Sequence, residues 1–315
     1  MRTPGTTPSR RVLLTAGAGA ALAAALTTGT ARAATPRAEA RTVARLRRLE
    51  REHGARLGVY AHDTATGRTV LHRADELFPI CSVFKTAAAA AVLRDLDHDG
   101  TYLAKRIHYT FKDVTDAGGG EVTQREENIA AGLTVAELCS AAISQSDNCA
   151  ANLLLRELGG PTAVTRFCRS LGDRTTRLDR WEPELNSAEP SRTTDTTTPR
   201  AIGRTYARLA LGDALAPADR ERLTGWMLAT TTSGERLRAG LPRDWAVADK
   251  TGAGSYGTNN NVGIAWPPGR PPVVLSVFTA KAEATAPRDN ELIAETARLL
   301  ADALVGDADP SEGPR

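Results

Sequence analysis

Strand-like segments near both ends of the chain constrain its fold most strongly. They alternate or run apolar and are bounded by Gly, Pro and Asn, as is typical of strands, and they cover residues 57–62, 69–72, 245–250, 261–266 and 273–280. Between them, residues 86–96 and most of 134–157 and 200–229 follow a helical period. Two separated groups of strands and a helical middle predict one sheet that is built from both chain ends.

The predicted fold class is therefore α/β plus all-α, with an antiparallel sheet flanked by helices and an inserted helical domain. We expect the sheet domain to comprise residues 34–80 and 229–306, and the inserted helical domain to comprise residues 81–228. Residues 307–315 are expected to form a flexible tail. The segment 173–199 contains three prolines and no sustained period. A long irregular segment in a compact domain is usually functional.

The first 33 residues have the pattern of an export signal. Ser9-Arg10-Arg11 with Val12-Leu13-Leu14 is a twin-arginine motif, an Ala- and Gly-rich stretch follows, and Ala31-Arg32-Ala33 favours cleavage before Ala34. These residues carry four arginines and no acids, so their removal changes the formal net charge from +3 to −1. We therefore expect a secreted or periplasmic protein, with neither nucleic acid nor a membrane surface as a stable partner.

Cysteines and histidines give weaker signals. The four cysteines (Cys81, Cys139, Cys149 and Cys168) allow three fully paired connectivities, but we expect four buried free thiols, since twin-arginine export usually carries folded proteins. The five histidines match neither His-x-His-x-Asp-His nor His-Glu-x-x-His. We expect no metal and no cofactor.

Lysine is rare in this chain, with five among 40 basic residues, and two of the five lie in short motifs. Lys85 ends Ser82-Val83-Phe84-Lys85, and Lys250 begins Lys250-Thr251-Gly252. A desolvated lysine can lose its proton and act as a base, whereas arginine cannot. Residues three apart on a helix share a face, so Lys85 can activate the Ser82 hydroxyl. These motifs favour a serine nucleophile that is activated by an amine.

Each motif is weak alone, but Ser82-x-x-Lys85, Ser146-Asp147-Asn148 and Lys250-Thr251-Gly252 occur together in this order. With them, residues 41–304 resemble the class A serine β-lactamases, and residues 180–186 (Arg-Trp-Glu-Pro-Glu-Leu-Asn) resemble the Ω loop of that family. The resemblance implies a monomeric hydrolase that opens the β-lactam ring of penicillin- or cephalosporin-type antibiotics and gives resistance to them.

The resemblance also implies roles for the motif residues. Ser82 would be acylated, Lys85 would accept or relay its proton, and Ser146 would protonate the lactam nitrogen beside Lys250. The substrate would be bound by the side-chain amide of Asn148, by Thr251 and by an oxyanion hole of the Ser82 and Ala253 N–H groups. Whether Lys85 or Glu182 is the base during acylation is open.

Other expected roles concern the Ω loop and the substrate carboxylate. Glu182 would be the general base that activates water, and Asn186 would help to hold that water. Arg180 and Asp195 would form a supporting ion pair, and the Glu182–Pro183 peptide bond is expected to be cis. Arg236 would bind the substrate carboxylate, because Asn259 stands where many family members have an arginine.

Three further features depart from the family pattern. Residues 111–132 form a longer stretch than usual, which contains Ala117-Gly118-Gly119-Gly120 and lacks a clear match to the aromatic residue at the cleft entrance. Gly254 stands where some relatives have a cysteine that bridges to the position of Cys81. Ala89 stands where a partner of Cys139 is usual.

Two other functions are compatible with parts of this pattern. A penicillin-binding D,D-peptidase would share Ser82, Lys85, Ser146 and Lys250, and a β-lactam sensor domain would bind the drug without turnover. The carboxylate of Glu182 argues against both, because an acyl-enzyme is hydrolysed quickly only when water is activated.

Overall fold

The computed structural model describes residues 36–306; the predicted export signal and the tail 307–315 lie outside the described residues. The strands are β1 Arg56–Asp63, β2 Thr69–His72, β3 Phe78–Pro79, β4 Arg106–Ile107, β5 Leu133–Thr134, β6 Thr196–Thr197, β7 Ala246–Ala253, β8 Asn259–Trp266 and β9 Val273–Ala280.

Within the described residues, the first helix begins at Pro36 and the last helix ends at Leu304. The helices are α1 Pro36–Glu52, α2 Phe84–Asp95, α3 Thr101–Ala104, α4 Phe111–Asp116, α5 Glu126–Ala131, α6 Val135–Ser144, α7 Asn148–Glu157, α8 Thr162–Ser170, α9 Pro199–Ala210, α10 Pro217–Leu228, α11 Leu237–Gly240 and α12 Asn290–Leu304, with 3-10 helices at Cys81–Val83 and Glu184–Ser187. None of the described helices is both long and apolar enough to span a membrane.

The main sheet joins strands from both ends of the chain. Its order is β2-β1-β9-β8-β7, and all its neighbouring strands are antiparallel. β1 pairs with β9 along its whole length, from Arg56 opposite Ala280 to Asp63 opposite Val273. The predicted fold class is confirmed; the domain boundaries stay a prediction.

Both faces of the sheet are covered by helices. Val273, Leu275 and Val277 of β9 belong to the apolar core beside α1 and α12, whereas Val274 and Phe278 belong to the core on the side of α9. Side chains alternate between the faces of a strand, so burial on both faces explains the continuous apolar run of β9.

Helix α2 is the centre of the helical layer. Residues 84–93 are all buried, and the small alanines allow α6, α7, α8, α9 and α10 to contact this one helix. Tyr206 of α9 donates a hydrogen bond to the Val83 carbonyl (2.7 Å). The N-terminus of α2, where Ser82 lies, is therefore anchored within the core.

Residues 134–157 are mostly helical, as predicted, but the helix is broken at one point. The chain leaves α6 after Ser144 and starts α7 at Asn148, because Ser146 adopts a left-handed conformation (φ +60°) and the Asp147 side chain caps α7. The apolar period continues across this break, which is why periodicity alone misses it. Ser146 therefore lies in the turn between α6 and α7 and not within a helix.

Candidate functional site

Ser82 lines a cavity of about 610 Å³ and lies in the short 3-10 helix that leads into α2. Strand β7 runs beside it. A Cβ atom at Gly252 would lie 3.2 Å from the Cys81 Cβ and 3.3 Å from the Ser82 nitrogen. Gly252 therefore allows the strand that carries Lys250 and Thr251 to approach the predicted nucleophile closely.

Lys85 follows one helical turn after Ser82, and its side chain is fully buried. Its Nζ lies 3.0 Å from Glu182 Oε1 and donates to the Ser146 carbonyl (2.8 Å) and to Asn148 Oδ1 (2.6 Å). Ser82 Oγ donates to the same Glu182 oxygen at 3.3 Å. The predicted nucleophile, the lysine and the carboxylate therefore meet at one oxygen atom.

Ser146 faces the other lysine. Lys250 Nζ donates to Ser146 Oγ (2.9 Å) and to the Thr251 carbonyl (2.8 Å). Burial, together with the charges of Lys85 and Arg236, lowers the pKa of Lys250 well below its usual value. An ammonium with a lowered pKa gives up its proton more readily, so this pair can deliver a proton through the serine hydroxyl.

The turn that carries Ser146 is fixed by the buried carboxylate of Asp147. That carboxylate accepts hydrogen bonds from the N–H groups of Val122 and Thr123 (2.9 Å each) and of Ala150 (2.8 Å). A Cβ atom at Gly120 would lie 2.2 Å from Asp147 Oδ1. The glycine-rich stretch thus has a structural role, because only glycine leaves room for this carboxylate.

Gly120→Ala is therefore expected to lower the free energy of unfolding by about 1–3 kcal/mol, since the added methyl group must displace the Asp147 carboxylate. Chemical denaturation monitored by circular dichroism measures this. The matched control is Gly225→Ala in α10, where a Cβ would meet nothing within 4 Å. A Gly120→Ala protein as stable as this control would contradict the assignment.

Glu182 is held through its main chain as well as its side chain. Asn152 of α7 accepts from the Glu182 N–H (3.0 Å) and donates to the Glu182 carbonyl (2.9 Å), and Asn186 Nδ2 donates to Glu182 Oε2. The Glu182–Pro183 bond is cis, as expected. Sequence reasoning assigned no role to Asn152, although its position one helical turn after Asn148 places both on one face of α7.

One acceptor beside Glu182 has no partner. Asn186 Oδ1 is buried and makes no hydrogen bond to any residue between 36 and 306. A buried polar atom without a partner is costly, so this position favours a hydrogen-bond donor from the cavity. A water molecule between Asn186 Oδ1 and the Glu182 carboxylate would supply one.

The neck of the irregular segment is closed by Asp195. Its carboxylate accepts from the N–H groups of Asp179 (2.7 Å) and Arg180 (3.0 Å) and forms a salt bridge to Arg180 Nε (2.5 Å). Arg180 Nη1 also donates to Ser187 Oγ (2.9 Å). These contacts tie the two ends of the segment together around Glu182.

Arg236 lines the cavity on the side of Thr251 and is 8% exposed. Its Nε donates to Asn290 Oδ1 (3.1 Å), and burial together with the charge of Arg288 lowers the pKa of Arg236 to about 10. It is therefore still charged at neutral pH. Asn259 does not line this cavity; its Nδ2 donates to the same Asn290 Oδ1 and to the Asp289 carbonyl (3.0 Å each).

The cavity has a second arginine that sequence reasoning missed. Arg288 is exposed and lines the same cavity as Ser82, Thr251 and Arg236. It lies just before α12 in a segment that matches no motif. Ala253 and Asn148 also line the cavity, so every predicted substrate-binding residue is present at this site.

The four cysteines are free and buried, as expected. Burial raises the pKa of Cys149 and of Cys168 to about 12, and it raises the pKa of Cys81 and of Cys139 further. Thiols that stay protonated are poor nucleophiles. The cysteines therefore do not compete with Ser82.

Comparison with known proteins agrees with this geometry. Residues 41–304 match the family model described as "Beta-lactamase enzyme family". The chain is 67% identical to a β-lactamase of Streptomyces lavendulae over 304 residues, which is 96% of this chain and 100% of that protein.

Solved structures show the same relationship. The β-lactamase from Streptomyces albus G is 66% identical with a TM-score of 0.83, and the match covers 84% of this chain and 99% of that chain. An ancestral class A β-lactamase is 51% identical with a TM-score of 0.78, covering 83% and 99%.

Proposed function

Because this chain belongs to the class A serine β-lactamase family, we propose that it hydrolyses the β-lactam amide of penicillin- and cephalosporin-type antibiotics through an acyl-enzyme on Ser82 and so confers resistance. One observation carries the proposal. The Glu182 carboxylate contacts Ser82 Oγ and Lys85 Nζ through one oxygen and Asn186 through the other. This carboxylate can serve both acylation and hydrolysis of the ester.

In acylation, Ser82 Oγ attacks the lactam carbonyl carbon and loses its proton. Ser82 Oγ and Lys85 Nζ both contact Glu182 Oε1, so two routes are open to this proton. It can pass directly to Glu182. Alternatively, Lys85 first gives a proton to Glu182 and then, as a neutral amine, accepts the proton of Ser82. The N–H groups of Ser82 and Ala253 stabilise the oxyanion, an effect worth about 3–4 kcal/mol per donor.

Ring opening requires a proton on the departing nitrogen. When the carbon–nitrogen bond breaks, Ser146 Oγ gives its proton to the nitrogen and recovers one from Lys250 Nζ, which lies 2.9 Å away. The lowered pKa of Lys250 favours this transfer. The product of this half-reaction is a neutral amine and an ester on Ser82.

Hydrolysis of the ester needs an activated water molecule. A water that donates to Asn186 Oδ1 and to Glu182 satisfies the buried acceptor and is adjacent to Ser82. Glu182 must first become a carboxylate again, so the proton taken from Ser82 in acylation passes through Lys85 and Ser146 Oγ to Lys250, which gave up a proton during ring opening. Glu182 then takes a proton as the water oxygen attacks the ester carbonyl, and that proton returns to Ser82 Oγ as the ester bond breaks. The Asn152 clamp on the Glu182 main chain keeps the carboxylate in place.

The rival function is that of a penicillin-binding D,D-peptidase, which forms a long-lived adduct with penicillin. We expect this protein to turn over a large molar excess of penicillin and to show its unmodified mass once the substrate is exhausted. Intact-mass spectra recorded during and after turnover measure this. An adduct that persists for hours without substrate loss would assign the chain to the peptidases or to drug sensors.

Arg236→Gln is expected to raise KM for penicillins and lower kcat/KM by about tenfold or more, since a charge-assisted bond to a carboxylate contributes about 1.5–3 kcal/mol. Steady-state kinetics measure this. The control is Arg243→Gln, an exposed arginine outside the cavity. If the two variants have equal kcat/KM, Arg236 does not bind the carboxylate.

We also propose that the chain is exported by the twin-arginine route and acts as a secreted or periplasmic monomer without stable membrane association. The support is the motif at residues 9–14, the cleavage pattern before Ala34 and the charge of −1 that follows removal of residues 1–33.

A further inference from the structure

A second concave site shares no residue with the cavity above Ser82. It is a cleft of about 260 Å³ between the loop after α8, the exposed face of α9 and Asp75. Four arginines line it: Arg174, Arg200, Arg204 and Arg208. No step of β-lactam hydrolysis uses any of them.

Three of these arginines lie on one face of α9. Arg200, Arg204 and Arg208 are spaced four residues apart, so their side chains are neighbours along the helix. Like charges at this spacing repel one another and destabilise a helix. Arg174 of the loop adds a fourth positive charge at the same cleft.

The two acidic residues of the cleft offset only part of the charge of its four arginines. Asp75 forms a two-pronged ion pair with Arg200 (2.7 and 2.8 Å). The buried Asp173 carboxylate accepts from Thr176 and Thr205 hydroxyls and from the N–H groups of Thr175 and Thr176. Its oxygens are thus satisfied by neutral donors.

The remaining guanidinium groups have no protein partner. The side chains of Arg174, Arg204 and Arg208 are exposed and form no hydrogen bond and no ion pair with any residue from 36 to 306. Each offers up to five N–H donors to the cleft. A group with several acceptor oxygens and negative charge would satisfy them.

Gly172 shapes the cleft beside Arg208. Its φ is +77°, and a Cβ atom there would lie 2.8 Å from Arg208 Nη1. Any side chain would be strained and would push this guanidinium aside. The glycine therefore lets the Arg208 guanidinium pack against the loop that carries Arg174.

We propose that this cleft binds a phosphate group, either as free phosphate or within a phosphodiester. Several arginine forks around one concavity match the planar, two-pronged recognition of phosphate oxygens. The site is independent of the β-lactam cavity, so a bound phosphate ester would attach the enzyme to a phosphate-bearing molecule without blocking hydrolysis.

The test is calorimetric titration of sodium phosphate into the protein at constant ionic strength, which is maintained with chloride. The double variant Arg204→Gln/Arg208→Gln is compared with the matched control Arg222→Gln/Arg243→Gln, which removes two exposed arginines outside the cleft. We expect saturable binding that is at least tenfold weaker in the first variant and unchanged in the control, with equal β-lactam hydrolysis in all three proteins.

A second titration, with the phosphodiester chain poly(glycerol phosphate), distinguishes the two possible sources of the phosphate group. Tighter binding of the chain than of inorganic phosphate indicates a polymeric ligand, and the reverse indicates free phosphate. The proposal is overturned if the wild type shows no saturable binding, or if both double variants bind as the wild type does. A thermal shift with phosphate that disappears only in Arg204→Gln/Arg208→Gln is a second supporting readout.

Discussion

Glu182→Gln is expected to lower kcat for penicillin hydrolysis by about 10²–10⁴-fold, the usual contribution of a general base. The amide keeps the shape of the side chain and can still contact Asn186, but it cannot accept a proton from water. Acylation should continue, because the substitution leaves Ser82 and Lys85, one helical turn apart, in place for the first half-reaction. Spectrophotometric loss of the β-lactam measures the effect.

The matched control is Glu189→Gln, which removes a carboxylate from the same irregular segment at a partly exposed position. Its side chain contacts Ser187 and Arg192 and does not line the cavity. We expect nearly wild-type kcat for this control. Equal kcat values for Glu182→Gln and Glu189→Gln would show that Glu182 is not the general base in ester hydrolysis.

Lys85→Arg is expected to lower kcat/KM by about 10³-fold or more, with no accumulation of acyl-enzyme. This result is expected when acylation uses the route through Lys85, because arginine keeps the positive charge but cannot release its proton to relay that of Ser82. The guanidinium also has to fit where the fully buried ammonium contacts Glu182, Ser146 and Asn148. Rapid mixing with a chromogenic cephalosporin measures the acylation rate.

Lys112→Arg is the control for this substitution, because Lys112 is an exposed lysine whose charge pairs with Asp116. Circular dichroism and a thermal melt of both variants separate loss of chemistry from loss of fold. A folded Lys85→Arg protein that acylates at the wild-type rate would show that Lys85 only supplies charge. The two catalytic variants should thus fail at different steps, Glu182→Gln after acylation and Lys85→Arg before it.

Much of the site is predictable from sequence because its chemistry restricts residue type. A serine with a lysine one turn later, a lysine on a strand beside it and a carboxylate on an irregular segment each leave few alternatives. That these side chains lie together in the folded protein is indicated in the sequence only by the order and spacing of their motifs. The contacts that join Ser82, Lys85 and Glu182 at one oxygen depend on the packing of separate elements.

Other parts of the site carry no local signal. Ser146 interrupts an apolar period that continues through it, so the break between α6 and α7 depends on the Asp147 carboxylate and on its contacts with residues 122–123. Arg288 lies in a segment without a motif and reaches the cavity only through tertiary structure. The lowered pKa of Lys250 results from burial, which sequence does not report directly.

Turnover by this protein depends on an ester on Ser82 that is hydrolysed by a water molecule activated by Glu182. Its most direct test is an intact-mass spectrum of Glu182→Gln, recorded within a minute of mixing with excess penicillin and followed by peptide mapping. We predict a mass increase of one penicillin molecule, located on the peptide that contains Ser82, while the wild type at the same time is largely unmodified. An unmodified variant that still hydrolyses penicillin, or an adduct on another residue, would contradict the account.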